Sequence, residues 1–120
     1  MKRIALLVLT AIVLFAASAS EGRARERLVR CRVESERTVQ ISGPCRFIAD
    51  IDGSFSLENV HDNKALFGDI LVVSVSIIAG DVAEVRGLTR DGINSRWGEA
   101  RRSASDRACW NGTDFRICAY

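Results

Sequence analysis

Residues 46–59 read RFIADIDGSFSLEN, and the pair at the centre, Asp52-Gly53, decides how the rest is read. An Asp-Gly pair between two apolar-alternating runs is a strong two-residue hairpin signal, because the type I′ turn that suits twisted strands needs positive φ at both central residues. On one side Phe47 and Ala49 alternate with Ile48 and Asp50. On the other, Phe55 and Leu57 alternate with Ser54 and Ser56. A period of two means a sheet with one buried face.

Working outward, Ile70–Ile78 (ILVVSVSII) is the most apolar stretch after the N-terminus. Its β-branched content favours a strand, with Ser74 and Ser76 on one face and Val73, Val75 and Ile77 on the other. Ala79-Gly80-Asp81 turns it, and Val82–Leu88 returns antiparallel. Upstream, Leu28–Val33 and Thr38–Ile41 flank a charged turn at Glu34–Arg37, Gly43-Pro44 breaks the chain, and Cys45 opens a run through Ile51. Residues 59–68 (NVHDNKALFG) read as a polar loop or a single helical turn. Arg90–Gly98 (RDGINSRWG) reads as a loop, Glu99–Ser103 as a short strand and Ala104–Arg107 as a turn. In the C-terminal ACWNGTDFRICAY, Asn111-Gly112 marks another hairpin. No helical period longer than a turn or two follows the N-terminus, and no repeat is visible. The expectation is an all-β, mainly antiparallel small barrel or sandwich of about seven or eight short strands.

The first residues have a different character. Lys2 and Arg3 precede an apolar run, Ile4–Ala17, and then Ala17-Ser18-Ala19. A charged start, a short apolar region and an A-x-A site make a secretory signal peptide, 1–19. The run is shorter than the roughly 20 residues a membrane span needs. Arg30 before Cys31 argues against a lipoprotein anchor. A flexible charged arm is expected over 20–30 and a single β domain over 31–120. The chain carries 17 Lys+Arg against 15 Asp+Glu. Without Lys2 and Arg3 the two signs balance, so no nucleic-acid footprint is expected, nor stable membrane insertion once the signal is cut. The localisation implied is bacterial, periplasmic or secreted.

Cys31, Cys45, Cys109 and Cys118 are an even set in an oxidising compartment, which reads as two disulfides. Three pairings are possible, and spacing favours 31 with 45 and 109 with 118. A two-residue Asn111-Gly112 turn would set Cys109 opposite Asp114, leaving Cys118 too far along. Either that turn is longer, a strand bulges, or the cysteines pair differently. The spacings and the single histidine, His61, do not match zinc motifs, so no metal and no cofactor are expected.

Catalytic signatures are missing. His61-Asp62 has no serine in a G-x-S-x-G elbow to serve. Asp50-Ile51-Asp52-Gly53 fails the calcium-loop pattern, with Phe55 and His61 where Gly and Glu belong. Asn111-Gly112-Thr113 is formally a glycosylation acceptor but is more simply a turn. The surface nominated for binding comprises Asn94, Arg96, Trp97, Arg101, Arg102 and Trp110, because Trp and Arg dominate interaction hot spots. The competing reading, which the small number of tryptophans favours, has Trp97 and Trp110 plugging barrel ends and the arginines paired to Glu99 and Asp106.

GPCRF, DGSFSL, NSRWGEARRS and DRACWNGTDFRICAY together resemble a group of small exported bacterial proteins, mostly without assigned function. The ACW-x-G-x-DF-x-IC pattern is the most specific part. The resemblance implies export and a shared fold and supplies no site residues. In size, export signal and inferred barrel the chain is also similar to periplasmic inhibitors of c-type lysozyme, whose inhibitory motif does not align here. The function expected is therefore an exported non-catalytic binding protein acting on a protein or envelope component. Lysozyme inhibition, a small secreted hydrolase and a structural envelope protein are the alternatives.

Overall fold

The computed structural model describes residues 11–14 and 26–120. The signal-peptide reading of 1–19 falls almost entirely outside them, as does most of the arm. The described chain forms eight strands: β1 (Glu26–Ser35), β2 (Thr38–Ala49), β3 (Phe55–Glu58), β4 (Ile70–Ala79), β5 (Val82–Thr89), β6 (Asn94–Arg102), β7 (Cys109–Asn111) and β8 (Phe115–Ala119). Each is antiparallel to the next, and β8 closes on β1 to give an up-and-down barrel. Closure leaves no sheet face needing a second layer, which suits a short chain whose strands have one apolar side.

The hairpins follow local chemistry. Glu36 and Arg37, at φ 53° and 64°, make the two-residue turn between β1 and β2, with Ser35 opposite Thr38. Asp52 and Gly53, at φ 56° and 81°, are the centre of a turn closed by the Ser54 N–H donating to the Ile51 carbonyl at 3.0 Å. That hairpin carries one extra residue on the β2 side, since the Asp50 N–H also donates to the Ser54 carbonyl, at 2.8 Å. Gly80-Asp81 joins β4 to β5.

Several sequence expectations need correcting. Gly43-Pro44 does not break the chain: β2 runs through it, with Gly43 paired to Cys31 and Pro44 to Arg30. The segment Asn94–Gly98 is not loop: it is the first half of β6, and only residues 90–93 connect it to β5. Its glycine belongs to a β-bulge, a use of glycine that composition does not distinguish from a turn. The arm expected over 20–30 is shorter on its described side. β1 begins at Glu26, paired to Ile48, and the Arg27 guanidinium lies 4.7 Å from the Phe47 ring centroid.

The disulfides are Cys31–Cys45 and Cys109–Cys118. The second is reconciled with its hairpin by a later turn. Cys109 faces Cys118 and Asn111 faces Arg116, and the Gly112 N–H donates to the Phe115 carbonyl at 2.8 Å. Thr113 and Asp114, not Asn111 and Gly112, occupy the tip. Cys31 and Cys45 belong to the core inside the barrel. Cys109 and Cys118 lie on the other face of β7 and β8 from Trp110 and Ile117, buried on the outside of the wall. Two disulfides fit an oxidising, non-cytoplasmic compartment. No helix among the described residues is long and apolar enough to cross a membrane.

The interior is solid. Val33, Leu57, Val73, Val75, Val85 and Ile117 are wholly inaccessible to solvent, and Trp110 nearly so. An eight-stranded barrel is just wide enough either to be filled by side chains or to hold one small ligand. Here side chains fill it. One end of the barrel, hereafter the loop end, carries the β1–β2 turn, the long 59–69 connection, residues 90–93 and the 112–115 turn. The termini end carries the start of β1, the β2–β3 and β4–β5 turns, residues 103–108 and Tyr120.

Candidate functional site

With the lumen filled, any binding face lies at a mouth or on the outer wall. The loop end is shaped by one bulge. Val85 pairs with Gly98 and Arg86 with Arg96, so Trp97 is the extra residue on β6. Gly98 adopts φ 126°, which side chains rarely permit, and the bulge lays the Trp97 ring over the barrel mouth. The ring needs a bare backbone beneath it. On the neighbouring strand Gly87 supplies this, for a Cβ there would come within 2.8–2.9 Å of the indole.

Two more aromatics hold the indole. Phe115 meets it edge-on at 5.9 Å between ring centroids, and Phe67 lies tilted at 6.2 Å. Phe67 reaches the mouth because its connection is pinned. The Leu66 N–H donates to the Ile70 carbonyl at 2.8 Å, and the Asn59 side-chain amide donates to the Ala65 carbonyl at 2.8 Å. Arg46 clamps the same connection from outside, donating to Asp62 Oδ1 at 2.8 Å and Glu58 Oε2 at 2.7 Å. The bonds to Asp62, then Glu58, hold its guanidinium still more firmly in the charged form.

Over this aromatic floor opens a cleft of about 690 Å³, within the range of small-ligand and side-chain sites. Among the described residues its rim carries Glu36, Asp69 and Asp114, with one cation, Arg96. Arg96 is engaged by Glu84, its Nε 3.0 Å from Oε1. None of the three carboxylates makes an ion pair among the described residues. The rim is braced by backbone bonds, from the Glu36 N–H to the Asp114 carbonyl and from the Arg90 N–H to the Asp69 carbonyl, both 3.0 Å.

The residues nominated from sequence fall into two groups. Arg96 and Trp97 line the cleft, and Asn94 is exposed at the same end of β6. Arg101, Arg102 and Trp110 lie toward the termini end, about 17 Å further along the strand at ~3.3 Å per residue. There Arg102 lies 4.6 Å from the Trp110 ring centroid and 3.6 Å from Asp81. Arg101 lies 3.5 Å from Glu99, and Asp106 takes a hydrogen bond from the Tyr120 hydroxyl at 2.8 Å. That bond, with partial desolvation behind it, raises the Tyr120 pKa above its ordinary value.

Sequence reasoning missed Phe67, Phe115, Glu36, Asp69 and Asp114. They come from three separate connections, and the only signal available was that alternate hairpins of an up-and-down barrel share an end. His61 is exposed, its backbone N–H bonded to the Asn59 side chain at 2.9 Å, and Asp62 serves Arg46. The fold and site thus define a class: a disulfide-stapled, side-chain-filled eight-stranded barrel with one aromatic-floored mouth. Comparison with protein-family models, curated proteins and solved structures finds no match.

Proposed function

We propose that the protein is an exported, non-catalytic binding protein, periplasmic or secreted, that engages a protein or envelope component through its loop-end mouth. One observation carries the reading: a filled barrel keeps an open cleft of about 690 Å³ over three packed aromatic rings. Aromatic side chains near the centre of a patch with polar groups around them are the usual anatomy of an interaction hot spot. The rigid wall, two disulfides and pinned connections keep the mouth preorganised, which lowers the entropy lost on binding. Asn94, Arg96 and Trp97 belong to this face. Arg102 and Trp110 are assigned to closing the far end, and Arg101 lies exposed on the wall beside Glu99.

The test is capture on immobilised, oxidised protein from envelope extract, and separately of purified c-type lysozyme. Parent is compared with Glu36→Lys/Asp114→Lys at the mouth and Arg101→Ala at the far end. A partner held by parent and by Arg101→Ala, and lost by the folded mouth variant, supports the reading. Equal capture by all three proteins would overturn it, and lysozyme is the partner only if it alone follows that pattern with its activity inhibited.

A further inference from the structure

Resting on the mouth as the binding face, the geometry points to the partner's form and charge. We infer that the mouth takes an extended, cationic segment of a protein, which adds to the free edge of β6 and places a Lys or Arg side chain in the cleft.

The first observation is backbone pairing. β6 is paired to β5 from Asn94 to Arg101, but β7 opposes it only at Arg101 and Arg102. The β7–β8 hairpin turns back at residues 112–115, so no described strand covers the second edge of β6 over residues 94–100. At ~3.3 Å per residue that edge runs about 20 Å. An unpaired edge presents a row of N–H and C=O groups, the template for strand addition. The bulge at Trp97 and the charged Arg96 blunt it against a second flat strand of this chain, and turn its central ring toward the cleft.

The second observation is charge. The cleft beside that edge is lined by Glu36, Asp69 and Asp114, and its one cation among the described residues is already held by Glu84. Arg37 and Arg116 border the outer side of the 112–115 turn and make no ion pair with these carboxylates. A cation over an indole face within about 6 Å is attracted by the ring quadrupole, and more so where water is thinned. Carboxylates around the ring add to the preference. Side chains of a strand alternate, so a segment with Lys or Arg at every second position aims its cations inward.

The test uses oxidised protein and three capped pentapeptides: Thr-Lys-Thr-Lys-Thr, its Glu counterpart, and the Lys peptide with alternate backbone amides N-methylated. Binding is followed by ¹H–¹⁵N shifts of Arg96, Glu99 and the Trp97 indole. The Lys peptide should shift these saturably. Glu36→Gln/Asp114→Asn and N-methylation should each weaken binding about tenfold, equivalent to ~1.4 kcal/mol. No saturable shift at millimolar Lys peptide, equal binding of the Glu peptide, or indifference to N-methylation each overturns the inference. Mouth shifts caused equally by the Glu peptide would still leave the mouth as the binding face. If no peptide moves the mouth and captured partners ignore the mouth variant, both readings fall together.

Discussion

Gly87→Ala is the sharpest test of how the mouth is built. The added Cβ would lie 2.8 Å from Trp97 Nε1 and 2.9 Å from Cε2 and Cζ2, closer than carbon contacts of about 3.5–4.0 Å allow. The obstruction is a rigid ring, and it can yield only by tilting away from Phe67 and Phe115, which flank it. Overpacking of this kind costs about 1–3 kcal/mol. In an open strand the same change would gain about 0.5–1 kcal/mol from reduced chain entropy. The net expectation is a loss of roughly 1–2 kcal/mol, and in a domain near 100 residues each kcal/mol lowers Tm by about 4–8 °C. Urea denaturation followed by circular dichroism gives the free energy, and indole emission gives a second readout because Trp97 must tilt outward. In a Trp97→Leu background, where the space above Gly87 is vacated, Gly87→Ala should turn neutral or stabilising. That reversal amounts to a coupling of about 2 kcal/mol, typical of residues in direct contact. Additive effects in the double variant, or a neutral Gly87→Ala in the parent, would refute the packing of Trp97 on Gly87 and the floor built on it.

Other expectations follow from separate features. Replacing either cysteine pair by alanine should lower stability by about 3 kcal/mol or slightly less, given loops of 14 and 9 residues, measured by urea titration; a midpoint unchanged for both would show that neither bridge constrains the unfolded chain. Arg46→Met should cost only about 1 kcal/mol, since its partner Asp62 is largely exposed. It should nonetheless speed amide exchange at Leu66 and Phe67, and exchange at the parent rate would mean the clamp does not hold the connection. For Tyr120 the pKa is raised by its bond to Asp106, so the neutral phenol is favoured in the fold. That contribution is present below the ordinary value of about 10 and is lost as pH rises through the raised one. Tyr120→Phe should therefore be less stable than the parent at neutral pH and match it in strong alkali; a gap that persists there contradicts the assigned bond.

The mouth joins local chain chemistry to a surface no single segment contains. Gly98 permits the bulge, the bulge turns Trp97 inward, and Gly87 leaves room for it. The pinned 59–69 connection delivers Phe67, and the late turn of the last hairpin delivers Phe115. A change at any of these should alter binding without touching the carboxylates, whereas charge changes at Glu36 or Asp114 should alter binding without altering the floor.

The strands and most hairpins were legible from the chain alone, because they rest on near-neighbour physics. Alternation set the inner face of β3 and β4, Asp52-Gly53 and Gly80 supplied positive φ where hairpins need it, and cysteine spacing favoured the two local pairings. Tertiary structure decided the rest. Whether the strands close as a barrel or stack as a sandwich depends on β8 meeting β1, a contact between chain ends that no local pattern encodes. The late turn at Thr113-Asp114 is set by the Cys109–Cys118 register, which outweighs the preference of Asn-Gly for the tip. Asn94–Gly98 carries the residue types of a loop, and pairing with β5 makes it a strand. The carboxylates and rings of the mouth, drawn from connections far apart in sequence, become neighbours only because alternate hairpins of a closed meander must open at the same end.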